Sequence, residues 1–543
     1  MLDKVKHLII GSPLPTQQLE GRRLNKFQAL AAFSPDALSS IAYANQEIYL
    51  GLIVAGSAGL ALSVPIGLAI AALLTIVAVS YYQTIHGYPT GGGSYTVARD
   101  NLGARAGLVA AAALMIDYFL NAAVSLTAGV AALASAFPAL WPIRVELALV
   151  LLAIITLINL RGLQETGSLL AVPVYLFLAA FFGLLIVGAI KLLTDGSGLP
   201  TAAAPPPAQT LTTFIILHTF AAGCTALTGI EAISNGVPVF KAPEARNASH
   251  TLLVMAVLMG LLFVGSITLT QAYGVIAGPE ETILSALARR VLGDGVFYIL
   301  VQISTLLILT VAANTSFAGF PRVAALLAQA GYLPRQLTSL GERLVFANGL
   351  IALALAAGLL IIAFNGDTHA LVPLFAVGAF LAFTLSQTGM VIHWRRARGA
   401  NWGVKAIING LGAVATGSAL VVIAVSKFTE GAWLTVVLIP LGVTIFYRIR
   451  NHYRQVSAQL SMRGLPPSLQ PLPVPRVVVP ISGVHRGIVD AVNFARAITT
   501  ELTVVYIELQ PGSGEQVRQK WEAWWPNVPL VILPSPYRSI VGP

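Results

Sequence analysis

Apolar runs long enough to cross a lipid bilayer recur along most of this chain, separated by short loops rich in basic residues. A spanning helix needs about 20 apolar residues. About twelve stretches qualify: 27–54, 58–86, 105–136, 145–161, 166–193, 211–238, 251–276, 292–318, 345–364, 370–394, 406–426 and 431–448. In hydrocarbon every backbone polar group must be satisfied within the protein, so such a chain folds as an α-helical polytopic membrane protein. Of the 543 residues only 10% are charged, against roughly a quarter in soluble domains. That excludes a soluble enzyme with a large core.

Charge placement predicts orientation. With the N-terminus inside, the inner face collects Lys4, Lys6, Arg22, Arg23, Lys26, Arg99, Arg105, Arg161, Lys241, Arg246, Arg322, Arg335, Arg343, Arg395, Arg396, Arg398 and Lys405. The outer loops hold Arg144, Lys191, Arg289, Arg290 and Lys427. This asymmetry obeys the positive-inside rule and predicts a multi-pass protein of the cell (inner) membrane with both termini cytoplasmic. The same loops account for the net charge of +10, so the lipid bilayer is the expected partner and nucleic acid is not. The single cysteine, Cys224, excludes an intramolecular disulfide and reads as a packing residue. Residues 1–26 lack the apolar core of a secretory signal and read as a cytoplasmic lead-in. No HExxH, GxSxG or Walker-type loop occurs, so neither an enzyme nor an ATP-driven pump is expected.

A transmembrane domain is expected over 27–449, a linker with proline-rich character over 450–475, and a small cytoplasmic α/β domain over 476–543. In the last, strands at 476–481, 502–509 and 529–533 alternate with helices at 487–499 and 515–525. The chain ends soon after the third strand, which reads as a domain truncated or completed by a partner subunit. The glycines of GSG (512–514) do not read as a phosphate loop, because no strand is expected to lead into them. YPTGGGSY (88–95) reads as a turn on the inner face.

Two segments carry breaks. SPDALSSIAY (34–43) sets Pro35 and Asp36 inside the first. GCTALTGIEAISNG (223–236) sets glycines and threonines in the middle of the sixth, followed by Glu231. A pair of interrupted helices in matching places marks the substrate site of transporters built on inverted repeats. Segments one and six are five apart, which fits a five-plus-five repeat with two further helices. Unwinding frees carbonyl oxygens. Asp36 and Glu231 add anionic oxygens, and Ser34, Ser39, Ser40, Tyr43 and Thr228 add neutral ones. Hard oxygens suit a dehydrated alkali cation. A carboxylate substrate would need bare backbone N–H groups, and Ser-Pro-Asp offers no such nest. The alternative for Asp36 is a cap on the second half of a kinked helix; capping and ion binding are compatible. In segment three, Tyr118, Asn121 and Ser125 share one helical face beside Asp117. That stripe reads equally as part of a site or as helix–helix glue, and Asp117 as a proton-relay carboxylate. The polar residues of segment eight, Gln302 among them, read as glue, and His218 as a satisfied core histidine.

SPDALSSIAY, YPTGGGSY, IDYFLNAAVS (116–125), NLRGLQETG (159–167), GCTALTGIEAISNG, FTLSQTGM (383–390), VVVPISGVHRG (477–487) and SPYRSIV (535–541) together resemble the KimA-type branch of the KUP potassium–proton symporters. That branch lies in the amino acid–polyamine–organocation superfamily. The resemblance runs from the N-terminus into the tail. It implies a LeuT-like fold of five-plus-five inverted repeats with two further helices, and potassium uptake coupled to protons, with K⁺ as substrate. Family ion-site positions fall on Asp36, Tyr43, Tyr118, Ser125, Thr228 and Glu231, with Asp117 beside them. Glu231 would carry the proton, with Asp117 second. Asn121 stands where the family pattern has threonine, and Phe375, at a gate position, where it has tyrosine. An amide oxygen at Asn121 serves a cation or an amino-acid substrate, so a proton-coupled amino-acid or amine permease of the same superfamily stays open. The resemblance also implies a universal-stress-like tail that pairs two subunits into a homodimer, with cyclic di-AMP as a regulator. Dimerisation is the leading expectation for the tail.

Overall fold

The computed structural model describes residues 23–535 apart from 92, 163–166, 197–203, 279, 342 and 462–473. Lead-in residues 1–22, linker residues 462–473, residues 163–166 of NLRGLQETG and residues 536–541 of SPYRSIV lie outside the described residues. The chain forms two compact units, Met1–Val456 and Ser457–Pro543.

In the first unit, segment one is two helices, α1 (Lys26–Phe33) and α2 (Pro35–Ile53). Asn25 and Gln28 cap α1 reciprocally: the Asn25 side chain accepts from the Gln28 N–H, and the Gln28 side chain accepts from the Asn25 N–H. Pro35 opens α2, where its missing N–H is no loss. Ser34 is the single residue between the two. Then follow α3 (Gly56–Leu60), α4 (Ser63–Gly87), α5 (Ser94–Leu102), α6 (Ala104–Ala136), α7 (Arg144–Leu160) and α8 (Gly167–Thr194). Segment six is α9 (Thr213–Gly223), a 3₁₀ turn at Cys224–Leu227, and α10 (Ile230–Asn235). The remainder is α11 (Glu244–Ala272), α12 (Ile283–Leu292), α13 (Val296–Gln329), α14 (Ala347–Ala363), α15 (Thr368–Ala397), α16 (Trp402–Ser426) and α17 (Ala432–Gln459).

Among the described residues, 10 helical stretches are long and apolar enough to cross a membrane. The sequence suggested about twelve. Segment one falls outside the ten because it is divided into pieces of 8 and 19 residues, the longer one carrying polar side chains. Segment nine, α14, has only 17 residues. Two amphipathic helices, α5 and α12, had no counterpart in the apolar pattern. The long helices pack along one another, α13 on α6, α15 on α6 and α16, and α11 on α4. Phe177, Phe181, Phe317, Phe375 and Phe380 fill the interior.

Polar side chains tie helices together inside this core. Asn409 of α16 donates from its amide to Gln387 of α15 at 2.6 Å and to the Ser80 hydroxyl of α4 at 3.0 Å. Its carbonyl accepts from the Trp394 indole at 2.9 Å. Asn159 bonds to Asn314 at 2.6 Å, and Ser304, Thr305, Thr310 and Thr315 of segment eight turn their hydroxyls onto their own helix. Both ring nitrogens of His218 have partners, Ser426 and Lys427. Ahead of α1, the Leu24 N–H donates to Val239 at 2.8 Å and its carbonyl accepts from Lys241 at 3.0 Å. This short parallel bridge joins the chain before α1 to the chain after α10, and the stacked rings of Phe33 and Phe240 lie beside it, 5.7 Å apart.

The second unit is a parallel sheet of order β1–β2–β3, from Val477–Ile481, Leu502–Glu508 and Leu530–Pro534. Helices α18 (Arg486–Ile498) and α19 (Ser513–Trp524) connect its strands. Ile488, Val492, Val504 and Trp521 form its core. One expectation is corrected here. Strand β2 does lead into the 512–514 glycines, and α19 follows, so the strand–loop–helix order is present. The loop is nevertheless filled: the Glu508 carboxylate accepts from the Gly512 and Gly514 N–H groups at 2.8 and 2.9 Å. A carboxylate from the chain itself holds the amides a phosphate would use.

Candidate functional site

The two helix breaks meet. Thr228 is extended and Gly229 adopts φ 79°, a left-handed conformation that glycine takes at little cost. The close approach adds a second demand. A Cβ on Gly229 would lie 2.6 Å from the Ala37 nitrogen and 2.9 Å from the Asp36 carboxyl carbon. Glycine therefore lets the segment-six gap pass directly against the first turn of α2.

Around this crossing, Asp36, Asp117, Tyr118, Thr228 and Glu231 line a chamber of about 30 Å³, with Phe383 and Asn235 in its wall. Five of the residues singled out from sequence thus converge from α2, α6 and segment six. One oxygen of Asp36 and one of Asp117 are buried without a hydrogen-bond partner among the described residues. Buried carboxylate oxygens left this way are costly unless something else, an ion, a proton or water, completes them. Asp36 also lies in the first turn of α2, where the helix dipole favours an anion. The N-cap of α2 is Ser34, whose side chain makes no capping bond.

Glu231 is held differently. The Ser94 N–H donates to one carboxylate oxygen at 2.7 Å and the Ser94 hydroxyl to the other at 2.7 Å. Tyr81 and Asn235 approach at 3.5 and 3.4 Å. Ser94 is the first residue of α5, so Glu231 sits on a helix N-terminus. The expectation that YPTGGGSY merely shapes a turn is corrected: its last residues open α5 and present an anion site to segment six. Gly93 leaves room for this, because a side chain there would overlap Asn235. The Gly-Gly-Ser sequence ahead of an amphipathic run was the available signal.

The hydroxyls divide. Tyr43 and Thr228 share a hydrogen bond at 3.3 Å. The Ser40 hydroxyl lies between the Ala37 and Ala226 carbonyls at 2.7 and 3.0 Å, so it stitches the two breaks together. Ser39 turns onto the Asp36 carbonyl. The Ser34 hydroxyl is buried with no partner among the described residues. Asn121 and Ser125 are not in the chamber wall. Ser125 donates to the Asn121 carbonyl at 3.1 Å, and the Asn121 amide donates to Ser316 of α13 at 3.0 Å. Phe375 is fully buried in the hydrophobic core and lines neither the chamber nor the cavity described next.

Beyond Tyr43 lies a second, larger cavity of about 360 Å³. Tyr43, Glu47, Gln302, Thr305 and His369 are in its wall. Tyr43 borders this cavity and its hydroxyl reaches Thr228, which borders the chamber, so the pair forms the partition between them. Glu47 lies within the first apolar segment, where its neighbours in sequence give no sign of the cavity.

Two family models match the chain. One, described as amino acid permease, matches residues 24–445; the other, described as the KimA potassium transporter C-terminal domain, matches residues 473–543. The potassium transporter KimA of Bacillus subtilis (strain 168) is 41% identical over 545 residues, covering 100% of this chain and 89% of that protein.

Proposed function

The chain belongs to the family of the potassium transporter KimA, within the group matched by the amino acid permease model, and on that premise we propose how it works as a potassium uptake transporter. K⁺ occupies the chamber at the crossing of the two helix breaks. The Asp36 carboxylate supplies the charge, and Thr228, Tyr118 and the freed carbonyls supply neutral oxygens. Tyr43 closes the chamber on one side. Asn121 and Ser125 brace α6 against α13 and contribute from behind.

Uptake is coupled to protons. Glu231 is the leading proton carrier and Asp117 the second. While Glu231 is ionised it rests on the two Ser94 donors; protonation removes its acceptor capacity for one of them and loosens segment six from α5. The single observation that carries this reading is the size and chemistry of the chamber. At about 30 Å³ it has the volume of about one water molecule, which suits a bare alkali ion. That volume is small for an amino acid. We also propose the five-plus-five inverted repeat with two further helices, cytoplasmic termini in a cell membrane, and pairing of two subunits through the C-terminal unit, whose exposed Val478, Phe494 and Val531 offer apolar surface. Any cyclic dinucleotide regulator would bind away from the Glu508-filled loop.

The test is rubidium uptake by proteoliposomes under an imposed proton gradient, with a panel of amino acids as alternative substrates. Wild-type protein accumulates rubidium, and Glu231→Gln loses gradient-driven accumulation while remaining monodisperse. Proton-driven uptake by that variant at wild-type rate would overturn the assignment. Amino-acid accumulation without rubidium uptake would favour the permease reading.

A further inference from the structure

The larger cavity beyond Tyr43 contains a carboxylate that the mechanism above does not use. Glu47 lies one turn beyond Tyr43 on α2, and Asp36, Tyr43 and Glu47 fall on one stripe of that helix, with Asp36 and Glu47 about 16 Å apart along its axis. The Glu47 side chain is only 1% exposed. Its described partner is the His369 ring, whose Nδ1 lies 2.9 Å from both oxygens.

The other charges facing this cavity are engaged. Glu281 pairs with Arg289, and Asp367 accepts from the first N–H groups of α15. Arg144 donates to the Trp141 and Asn365 carbonyls and lies over the Trp141 ring. Lys427, near His369, is bonded to Glu430 and His218. Among the described residues Glu47 is paired only with the His369 ring.

A second observation points to a ligand. Gln302 of α13 lines the same cavity, is 2% exposed, and its amide nitrogen has no partner among the described residues. Ser304, Thr305, Thr310 and Thr315 of the same helix turn onto its backbone, Asn314 meets Asn159 and Ser316 meets Asn121, so Gln302 stands apart from them. A half-turn of the terminal amide exchanges its N–H₂ for its carbonyl oxygen. The Thr305 hydroxyl donates to its own helix, which leaves its lone pairs free. A cavity of about 360 Å³ has room for an ion with much of its water.

We propose that Glu47 and Gln302 form a second cation station, which holds a partly hydrated monovalent alkali ion before it passes Tyr43 into the chamber. One carboxylate, one amide oxygen and a hydroxyl are a weak, hard-oxygen set. That matches a site which must load and release rather than retain. His369 is the counter-group the ion displaces. The proposal rests on the potassium reading above and on the orientation read from the basic loops, which turns this cavity outward.

The experiment is the external rubidium dependence of uptake by reconstituted full-length protein. Glu47→Gln keeps the size and a hydrogen-bond acceptor for His369 but removes the charge. It is expected to raise the half-saturating concentration about fivefold or more with the maximal rate preserved within about twofold, and Glu47→Asp to stay near wild type. Gln302→Leu is the second arm, with the same direction expected, and it decides the matter if Glu47→Gln is not recovered as folded protein. An unchanged half-saturating concentration in Glu47→Gln overturns the station, as does a Glu47→Asp defect equal to that of Glu47→Gln, which would mark a packing role. Wild-type vesicles that take up no rubidium refute the potassium reading instead, so the two failures are distinguishable.

Discussion

Ser94 gives both its backbone N–H and its hydroxyl to one carboxylate, that of Glu231, each at 2.7 Å. The two residues are 137 positions apart, and the contact fastens the segment-six break to the N-terminus of α5. Hydrogen bonds to charged groups contribute about 1.5–3 kcal/mol each. Ser94→Ala removes one and keeps the other, so gradient-driven rubidium uptake is expected to fall about tenfold. Ser94→Pro removes both, and proline is tolerated at the first helical position, so its loss should be larger with α5 intact. Equal rates for the two variants would refute the backbone contribution.

Tyr43→Phe keeps the ring in the partition and deletes the bond to Thr228. A neutral hydrogen bond is worth about 0.5–1.5 kcal/mol, so the half-saturating rubidium concentration should shift about two- to tenfold. Initial-rate uptake over a concentration series measures it.

Gly229→Ala places a Cβ against Ala37 and Asp36 at a backbone conformation with φ 79°. The backbone term alone is about 1–2 kcal/mol, and the clash adds to it. Thermal unfolding in detergent should shift downward and uptake should be lost. An alanine variant with wild-type melting and transport would show that the two breaks separate freely.

Asn409→Leu removes the centre of the Ser80–Gln387–Asn409–Trp394 cluster. Interhelical bonds in membranes average about 0.6 kcal/mol, and this side chain makes several. A loss of about 1–2 kcal/mol is expected, read as a lower melting temperature. Rubidium over sodium preference should be unchanged, because the cluster touches neither cavity.

In the second unit, Glu508→Ala frees the Gly512 and Gly514 N–H groups. Hydrogen exchange of the full-length protein followed by mass spectrometry should show faster exchange across 510–516, with the three strands still protected. Unchanged exchange there would mean that the carboxylate does not hold the loop.

The sequence showed where the helices break because proline and glycine act locally. Pro35 and the Gly223–Gly229 stretch are legible without knowing what they pack against. It also brought out Asp36, Asp117, Tyr118, Thr228 and Glu231, since carboxylates and hydroxyls are conspicuous among apolar residues. Ser94 was illegible for the opposite reason: its role depends on a partner brought near only by the packing of α5 against segment six. Helical spacing put Asn121 on a polar face but could not name its partner on α13, Ser316. Gln302 was hidden among neighbours whose hydroxyls serve their own helix. The alternating apolar residues of 502–508 show the strand, but not that it ends close enough to Gly512 for Glu508 to fill the loop.

The bridge between Leu24 and the residues after α10 has a mechanical consequence. Two backbone bonds and the Phe33–Phe240 stack clamp the chain entering one broken helix to the chain leaving the other. Half-helices α1 and α10 are then handles on one lever: a push on either is felt by both. At the segment-six end the left-handed Gly229 joins α10 to the rest of its segment. On the reading proposed above, a proton taken up by Glu231 would move the support beneath Asp36 through that clamp.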